Sequence, residues 1–322
     1  MLTKMMAISH MIGNTPLNKL EHEHINLFCK LEYNNLMGSV KVRPAFYILQ
    51  EAIKRGEITQ ETTIIESSSG NFAIALATLC KQIGIKFIPV IDPNINPVYE
   101  NLLRVFSHEV VKVTDRDETG GFLLTRIQTV NRLLNETKNS FWTNQYGNPD
   151  SARAHYFGLG AEIADSFETL DYAFIGVSSG GTITGISQRL KERYPNVKII
   201  AVDTAGSVIF GQEPQKRYIP GIGSSMRPDI LKGAIIDEVV HVSEEDTVKV
   251  CYQLYADHGI FAGGSSGTSY WAIENYFKDQ KHVVKPNVVF LCPDGGMPYV
   301  NTIYNQEWVQ WLHQQKHSFV GN

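Results

Sequence analysis

Two parallel-sheet α/β domains are what this sequence predicts, on three observations. Short β-branched runs recur along the chain: TTIIES (62–67), KFIPVID (86–92), EVVKVT (109–114), YAFIGV (172–177), KIIAVDT (198–204) and NVVFLCPDG (287–295). Helical-period stretches separate them, among them Phe72 to Ile83, Val98 to Phe106, Phe122 to Asn135 and Ile183 to Tyr194. A polar, Gly/Pro-marked stretch, TNQYGNPDSARAHY (143–156), divides two such series. Near-continuous apolar strands alternating with helices describe parallel sheets covered on both faces. In such sheets ligands bind at the carboxyl ends of the strands.

Taken in order, the N-terminal MLTKMMAISHMIGNTPL has no apolar core long enough for a signal peptide. The stretch MGSVKVRPA (37–45) ends a polar loop and begins a helix. Ala45, Phe46, Ile48, Leu49, Ala52 and Ile53 recur at helical spacing, Gly56 closes the run, and Pro44 suits a first turn. Lys41 therefore falls at the helix mouth, where the macrodipole disfavours a cation. It is either a solvated surface charge or an amine kept neutral to act as a nucleophile on a carbonyl.

Three Gly/Ser loops follow strands. ESSSGNFAIA (66–75) offers Ser68, Ser69 and Asn71 at a helix start, fit for a carboxylate or phosphate. GVSSGGTITG (176–185) offers Ser178, Ser179, Gly180, Gly181 and Thr182 to a phosphate. It is neither the Walker pattern nor the dinucleotide fingerprint, although Asp203 sits where a ribose-binding acid would. GIFAGGSSGTSYWA (259–272) carries Ser265. Each is equally an ordinary capped βα turn when taken alone. Together they ask for one ligand with a phosphate, a polar ring atom and a carbonyl for Lys41. Pyridoxal 5′-phosphate has all three. The unpatterned stretch from Ala205 to Ile235 is expected to wall or cover a site.

Composition narrows the classes. A net charge of −4 and a pI near 6.2 leave no basic footprint for nucleic acid. No apolar run approaches the ~20 residues that span a bilayer. Cys29, Cys80, Cys251 and Cys292 lie far apart in apolar segments, so buried free thiols, a reducing compartment and a cytoplasmic protein are expected. The ten histidines show no metal-ligand spacing, and no metal is expected.

IGNTPL, GSVKVRPA, SSSGN, NQYGNP, SSGGTITG, PGIGSS and GGSSG stand in an order and spacing similar to fold-type II pyridoxal-phosphate enzymes of the cysteine synthase and cystathionine β-synthase family. The resemblance runs from about Gly13 to about Tyr299. It implies that Lys41 holds pyridoxal phosphate as an imine, Asn71 meets its phenolic oxygen, residues 178–182 cradle its phosphate and Ser265 faces its ring nitrogen. It implies that Ser68, Ser69, Gln145 and Gly221 line the amino-acid substrate. It also implies a homodimer, with a small domain over 36–150 and a large cofactor-binding domain over 8–35 and 151–310. A neutral Ser265 at the ring nitrogen favours β-elimination, because it leaves the ring a weaker electron sink than a carboxylate would.

Four segments, GGFLLTRI (120–127), WTNQYGN (142–148), AVDTAGSVIFG (201–211) and IPGIGSS (219–225), resemble the N-(2-amino-2-carboxyethyl)-L-glutamate synthases of siderophore pathways. That branch joins O-phospho-L-serine to L-glutamate on the way to 2,3-diaminopropionate. Such anionic substrates need cations, and Arg126, then Arg217 and Arg227, are the candidates. Val42, Ser179, Phe72, Ala73 and an arginine-free CPDGGMPY depart from the common pattern without removing a group the chemistry requires. A cysteine synthase using O-acetylserine and sulfide, a nicotinamide-dependent oxidoreductase and a non-catalytic amino-acid sensor are the alternatives. Lys41 speaks against the last two.

Overall fold

Each β-branched run read from the sequence joins one of two sheets in the computed structural model, which describes residues 1–118, 120–280 and 283–317. The strands are β1 (Leu17–Leu20), β2 (Asn26–Leu31), β3 (Thr63–Ser67), β4 (Lys86–Ile91), β5 (Val111–Lys112), β6 (Ser140–Trp142), β7 (Tyr172–Gly176), β8 (Lys198–Thr204), β9 (Glu238–Val242) and β10 (Asn287–Cys292). One sheet has the order β5-β4-β3-β6 and is parallel throughout. The other has the order β1-β2-β10-β7-β8-β9. It is parallel except at its edge, where β1 pairs antiparallel to β2. The larger sheet is thus mixed, a difference from the expected parallel one. LNKL is short and half polar, as suits an edge strand.

Apolar layers cover both faces of each sheet. Helices Val42–Lys54 and Asn71–Ile83 pack Ile48, Leu49, Leu76 and Leu79 into one core beside Ile64. Ile65, Ile88 and Val90 face Val130 of helix Leu123–Glu136 on the other side. In the larger sheet Phe174, Val202 and Phe290 meet Ile273 and Phe277, while Ile175, Ile199 and Ala201 meet Ile186 and Leu190. Covering both faces this way leaves only the strand ends open to a ligand.

Arg43 ties the N-terminal strands to the helix that follows Lys41. Its guanidinium reaches Glu32 at 2.6 Å and Glu162 at 2.6 Å, and Lys30 reaches Glu162 at 2.7 Å. All four cysteines are free and buried, and the Sγ atoms of Cys29 and Cys292 lie 3.0 Å apart on the paired strands β2 and β10. Among the described residues, no helix is long and apolar enough to cross a membrane.

Candidate active site

Lys41 is the residue before the first turn of helix Val42–Lys54, and Pro44 occupies that turn, as its ring geometry favours. The side chain enters a cavity lined by Ser178, Ser179, Gly180, Thr182, Gly221, Ser265 and the backbone around Gly176. Its Nζ lies 3.3 Å from the Ser179 hydroxyl. Burial lowers the amine to a pKa of about 8, against the opposing pull of the Asp294 carboxylate. An ordinary surface lysine would titrate near ~10.4. A much larger share of this amine is therefore free to attack a carbonyl near neutrality.

The 176–182 loop runs from the end of β7 into helix Gly181–Arg193. Gly180 takes a left-handed φ of 85°, which turns the chain sharply into the helix. A Cβ on Gly181 would stand 2.3 Å from the Ser151 hydroxyl, so only glycine fits there. The first helical bond is from the Thr184 N–H to the Gly180 carbonyl, leaving the N–H groups of Gly181, Thr182 and Ile183 ahead of the ladder. Those donors, beside Lys41 and three hydroxyls, make an anion site at the positive end of the dipole. Ser178 donates to the Gly223 carbonyl at 3.0 Å, pinning the loop to the long 205–235 segment. His155 pairs its Nε2 with the Thr182 hydroxyl at 3.2 Å. Burial, then the Arg43 and Lys41 charges, hold this histidine well below its usual pKa, so it is neutral.

Ser265 is buried in the first turn of helix Gly264–Phe277 and borders the same cavity, where it can meet a ring nitrogen. Asn71 opens helix Asn71–Ile83 and is held at both ends of its amide. Its Nδ2 donates to Asp294 at 2.7 Å and its Oδ1 accepts from Tyr99 at 2.6 Å. Tyr299 also donates to that Asp294 oxygen, at 2.6 Å, while Asp294 Oδ1 is buried without a partner. One Asn71 N–H remains for another acceptor.

The loop after β3, read from the sequence as the substrate loop, carries the next group. Ser68 Oγ accepts from the Ala73 N–H at 3.3 Å. Ser69 donates to Asp92 at 2.8 Å and accepts from Arg126 at 2.9 Å. Arg126 also pairs with Asp92 at 3.1 Å, and its Nε is buried with no partner. Gln145 is buried and donates from Nε2 to the Ser67 carbonyl at 3.4 Å. Glu66 beneath it accepts from Ser67, Thr143 and Trp142. Burial nonetheless raises that carboxyl to about 6, the hydrogen bonds opposing it. Tyr146 is likewise raised by burial, with Arg126, Glu66 and Arg217 close enough to act on its charge. Arg217 donates to the Ile222 carbonyl at 3.2 Å and to Ser225 at 3.1 Å, whereas Arg227 is exposed on the surface.

The structure thus gathers Lys41, Ser178, Ser179, Gly180, Thr182, Gly221 and Ser265 on one cavity, with Gly181 directly behind the loop. Ser69 and Arg126 form a second group at the end of β3, with Ser68 and Gln145 nearby. The sequence reading missed His155, Asp294, Tyr99, Tyr299 and Tyr146. Asp203 is buried and accepts from the Thr204 N–H at 2.8 Å, shaping its own turn instead of meeting a ribose. Away from these groups, Glu245, His313 and His317 come together on the surface, a grouping the sequence reading did not single out. The i,i+4 spacing of His313 and His317 was the local signal, whereas Glu245, 68 residues before His313, had none.

Residues 8–294 match the pyridoxal-phosphate dependent enzyme family. The chain belongs to it. Among curated relatives, the N-(2-amino-2-carboxyethyl)-L-glutamate synthase of Cupriavidus metallidurans is 41% identical over 94% of this chain and 91% of its own length. The protein of the same description from Ralstonia nicotianae is 41% identical over 94% of this chain and 90% of its own. Among solved structures, the O-acetylserine dependent cystathionine beta-synthase of Helicobacter pylori superposes with a TM-score of 0.85 at 29% identity, covering 92% of this chain and 98% of that one. Pyridoxal phosphate is therefore this enzyme's cofactor, and the cavity fits it. A desolvated amine, a row of N–H groups ahead of the helix ladder and a neutral hydroxyl are groups that would suit its aldehyde, phosphate and ring nitrogen.

Proposed function

We propose that this enzyme joins O-phospho-L-serine to the amine of L-glutamate, releasing phosphate and forming N-(2-amino-2-carboxyethyl)-L-glutamate. The relatives at 41% identity are described as synthases of that product, N-(2-amino-2-carboxyethyl)-L-glutamate. The observation in this chain that supports the donor is Arg126 on Ser69, a cation with a spare N–H beside the substrate loop.

In this reading the N–H groups at 181–183 and the hydroxyls of Ser178, Ser179 and Thr182 hold the cofactor phosphate. Neutral His155 fixes the Thr182 hydroxyl toward it. Ser265 meets the ring nitrogen without protonating it, and Asn71, braced by Asp294 and Tyr99, spends its remaining N–H on the phenolic oxygen. Bound pyridoxal phosphate supplies the electron sink for charge developing at the substrate Cα. The freed Lys41 amine takes the Cα proton as general base. Ser68, Ser69 and Gln145 hold the substrate carboxylate, and Arg126 meets the departing phosphate. Arg217 and the Ala205–Ile235 segment cover the face where the incoming amine enters.

The same reading makes the protein a cytoplasmic homodimer with a 36–150 domain set into an 8–35 and 151–310 domain, supplying 2,3-diaminopropionate for siderophore assembly. The test is phosphate release from O-phosphoserine with each amino acid in turn, with mass analysis of the product. Release that depends on glutamate, with its adduct recovered, supports the proposal. Preference for O-acetylserine and sulfide would make the enzyme a cysteine synthase instead.

A further inference from the structure

Outside the residues just described, two helices present three side chains to one point. Glu245 lies in the first turn of helix Glu244–His258. His313 and His317 are four residues apart on helix Gln306–His317, so they share a face. One ligand atom from each of the three lies within 4.8 Å of the other two. The His317 Nε2 stands 3.1 Å from Glu245 Oε1, and His313 Nδ1 faces that same oxygen.

One carboxylate oxygen serving two imidazoles is an awkward arrangement without an ion. The ring centroids are 4.3 Å apart, so two imidazolium rings would repel each other. A single divalent cation takes a lone pair from each neutral ring and the carboxylate charge together. Two imidazoles and one carboxylate are a ligand set that suits zinc-class ions, with a fourth position left to water. All three side chains are partly exposed, at 35% for Glu245, 67% for His313 and 55% for His317, so an ion can enter directly from solvent.

We propose that Glu245, His313 and His317 form a binding site for a zinc-class divalent cation. The site is a clip. Next to it Glu244 accepts the Tyr218 and Ile219 N–H groups, each at 2.6 Å, and pairs with Lys316 at 2.7 Å. Lys316 also donates to the Lys216 carbonyl at 3.1 Å, and Trp311 packs edge-on against Tyr218. A cation joining the two helices therefore fastens the C-terminal helix over residues 216–219, the stretch that carries Arg217.

The test is titration of the holoenzyme with Zn²⁺ alone, followed by competition with a chromogenic chelator. The wild type should bind one Zn²⁺ per chain at this site, and its melting temperature should rise as the ion is added. Disturbing even an outer partner of a metal ligand costs about 10- to 100-fold in affinity. The His313→Ala/His317→Ala double variant should therefore lose that equivalent and its thermal shift, with an unchanged circular dichroism spectrum. Glu245→Gln should weaken binding while keeping the fold. A wild type that takes up no Zn²⁺, or a double variant that binds it as tightly, would overturn the proposal. Neither result depends on the identity of the amino-acid substrates.

Discussion

The Arg126 guanidinium donates to the Ser69 hydroxyl at 2.9 Å, joining helix Leu123–Glu136 to the loop that follows β3. Asp92 holds both, at 3.1 Å from Arg126 and 2.8 Å from Ser69. The cation is thus held on the loop proposed to bind substrate, with its buried Nε still unsatisfied. Arg126→Ala should cut turnover of O-phosphoserine by about 10- to 150-fold, the worth of one charge-assisted hydrogen bond at roughly 1.5–3 kcal/mol. Turnover of O-acetylserine should fall far less. Steady-state kinetics with both donors checks this, and equal losses would make Arg126 a structural residue of the loop.

Lys41 should be the lysine trapped when the yellow holoenzyme is reduced with borohydride and its peptides are mapped. Cofactor uptake by the cofactor-free protein should accelerate as pH rises through about 8, where burial has placed the amine. The Asp294 carboxylate raises that pKa, so Asp294→Asn should move the midpoint below about 8 and speed uptake at neutral pH. Stopped-flow absorbance across pH 6 to about 10 reads both. A midpoint that shifts upward in the variant would mean Asp294 does not act on the lysine charge.

Ser265→Asp should retain bound cofactor yet change its absorbance and impair β-elimination. A carboxylate in place of this neutral hydroxyl would hold the ring nitrogen protonated. An unchanged spectrum with full turnover would show that Ser265 does not meet the ring nitrogen.

Arg43 neutralises two carboxylates at once, buried Glu32 and half-buried Glu162. Arg43→Ala should cost about 3–5 kcal/mol in urea unfolding, because buried Glu32 loses its charge partner and Glu162 is left with Lys30 alone. Glu162 is desolvated, which alone would raise its pKa, but the Arg43 hydrogen bonds and charge bring it to about 2. Its contribution is therefore fully present above the unfolded value near ~4.3 and lost as pH falls through about 2. Wild-type stability should decline over that acid window more steeply than that of Arg43→Ala.

How legible was this in the sequence? The strands with long apolar runs, such as TIIES and KIIAVDT, announced themselves because both sheet faces are covered. β1, β6 and β9 did not. LNKL and SFW are too short to show a period, and EVVHV is half polar. β2 hides its character behind Lys30, a buried cation whose partner Glu162 is 132 residues away. Cavity-lining residues were readable where one loop carries them consecutively, as in SSGGT. Asp294, Tyr99 and Tyr299 were not, since their meaning lies in a hydrogen-bond chain through Asn71 that joins separate segments.

The order β1-β2-β10-β7 also has a consequence for how the protein comes into being. β2 occupies residues 26–31, yet one of its neighbours, β10, begins at Asn287. At about 5–20 residues per second, the ribosome needs roughly 13–51 s to make the intervening chain. Until then β2 waits with one edge unpaired, Lys30 included. The four-stranded sheet is local by contrast, because its strands all fall between Thr63 and Trp142. It can close while the rest is still being made. The nascent chain therefore emerges with one sheet able to form and the other held open, and those early strands are where it most needs protection from aggregation.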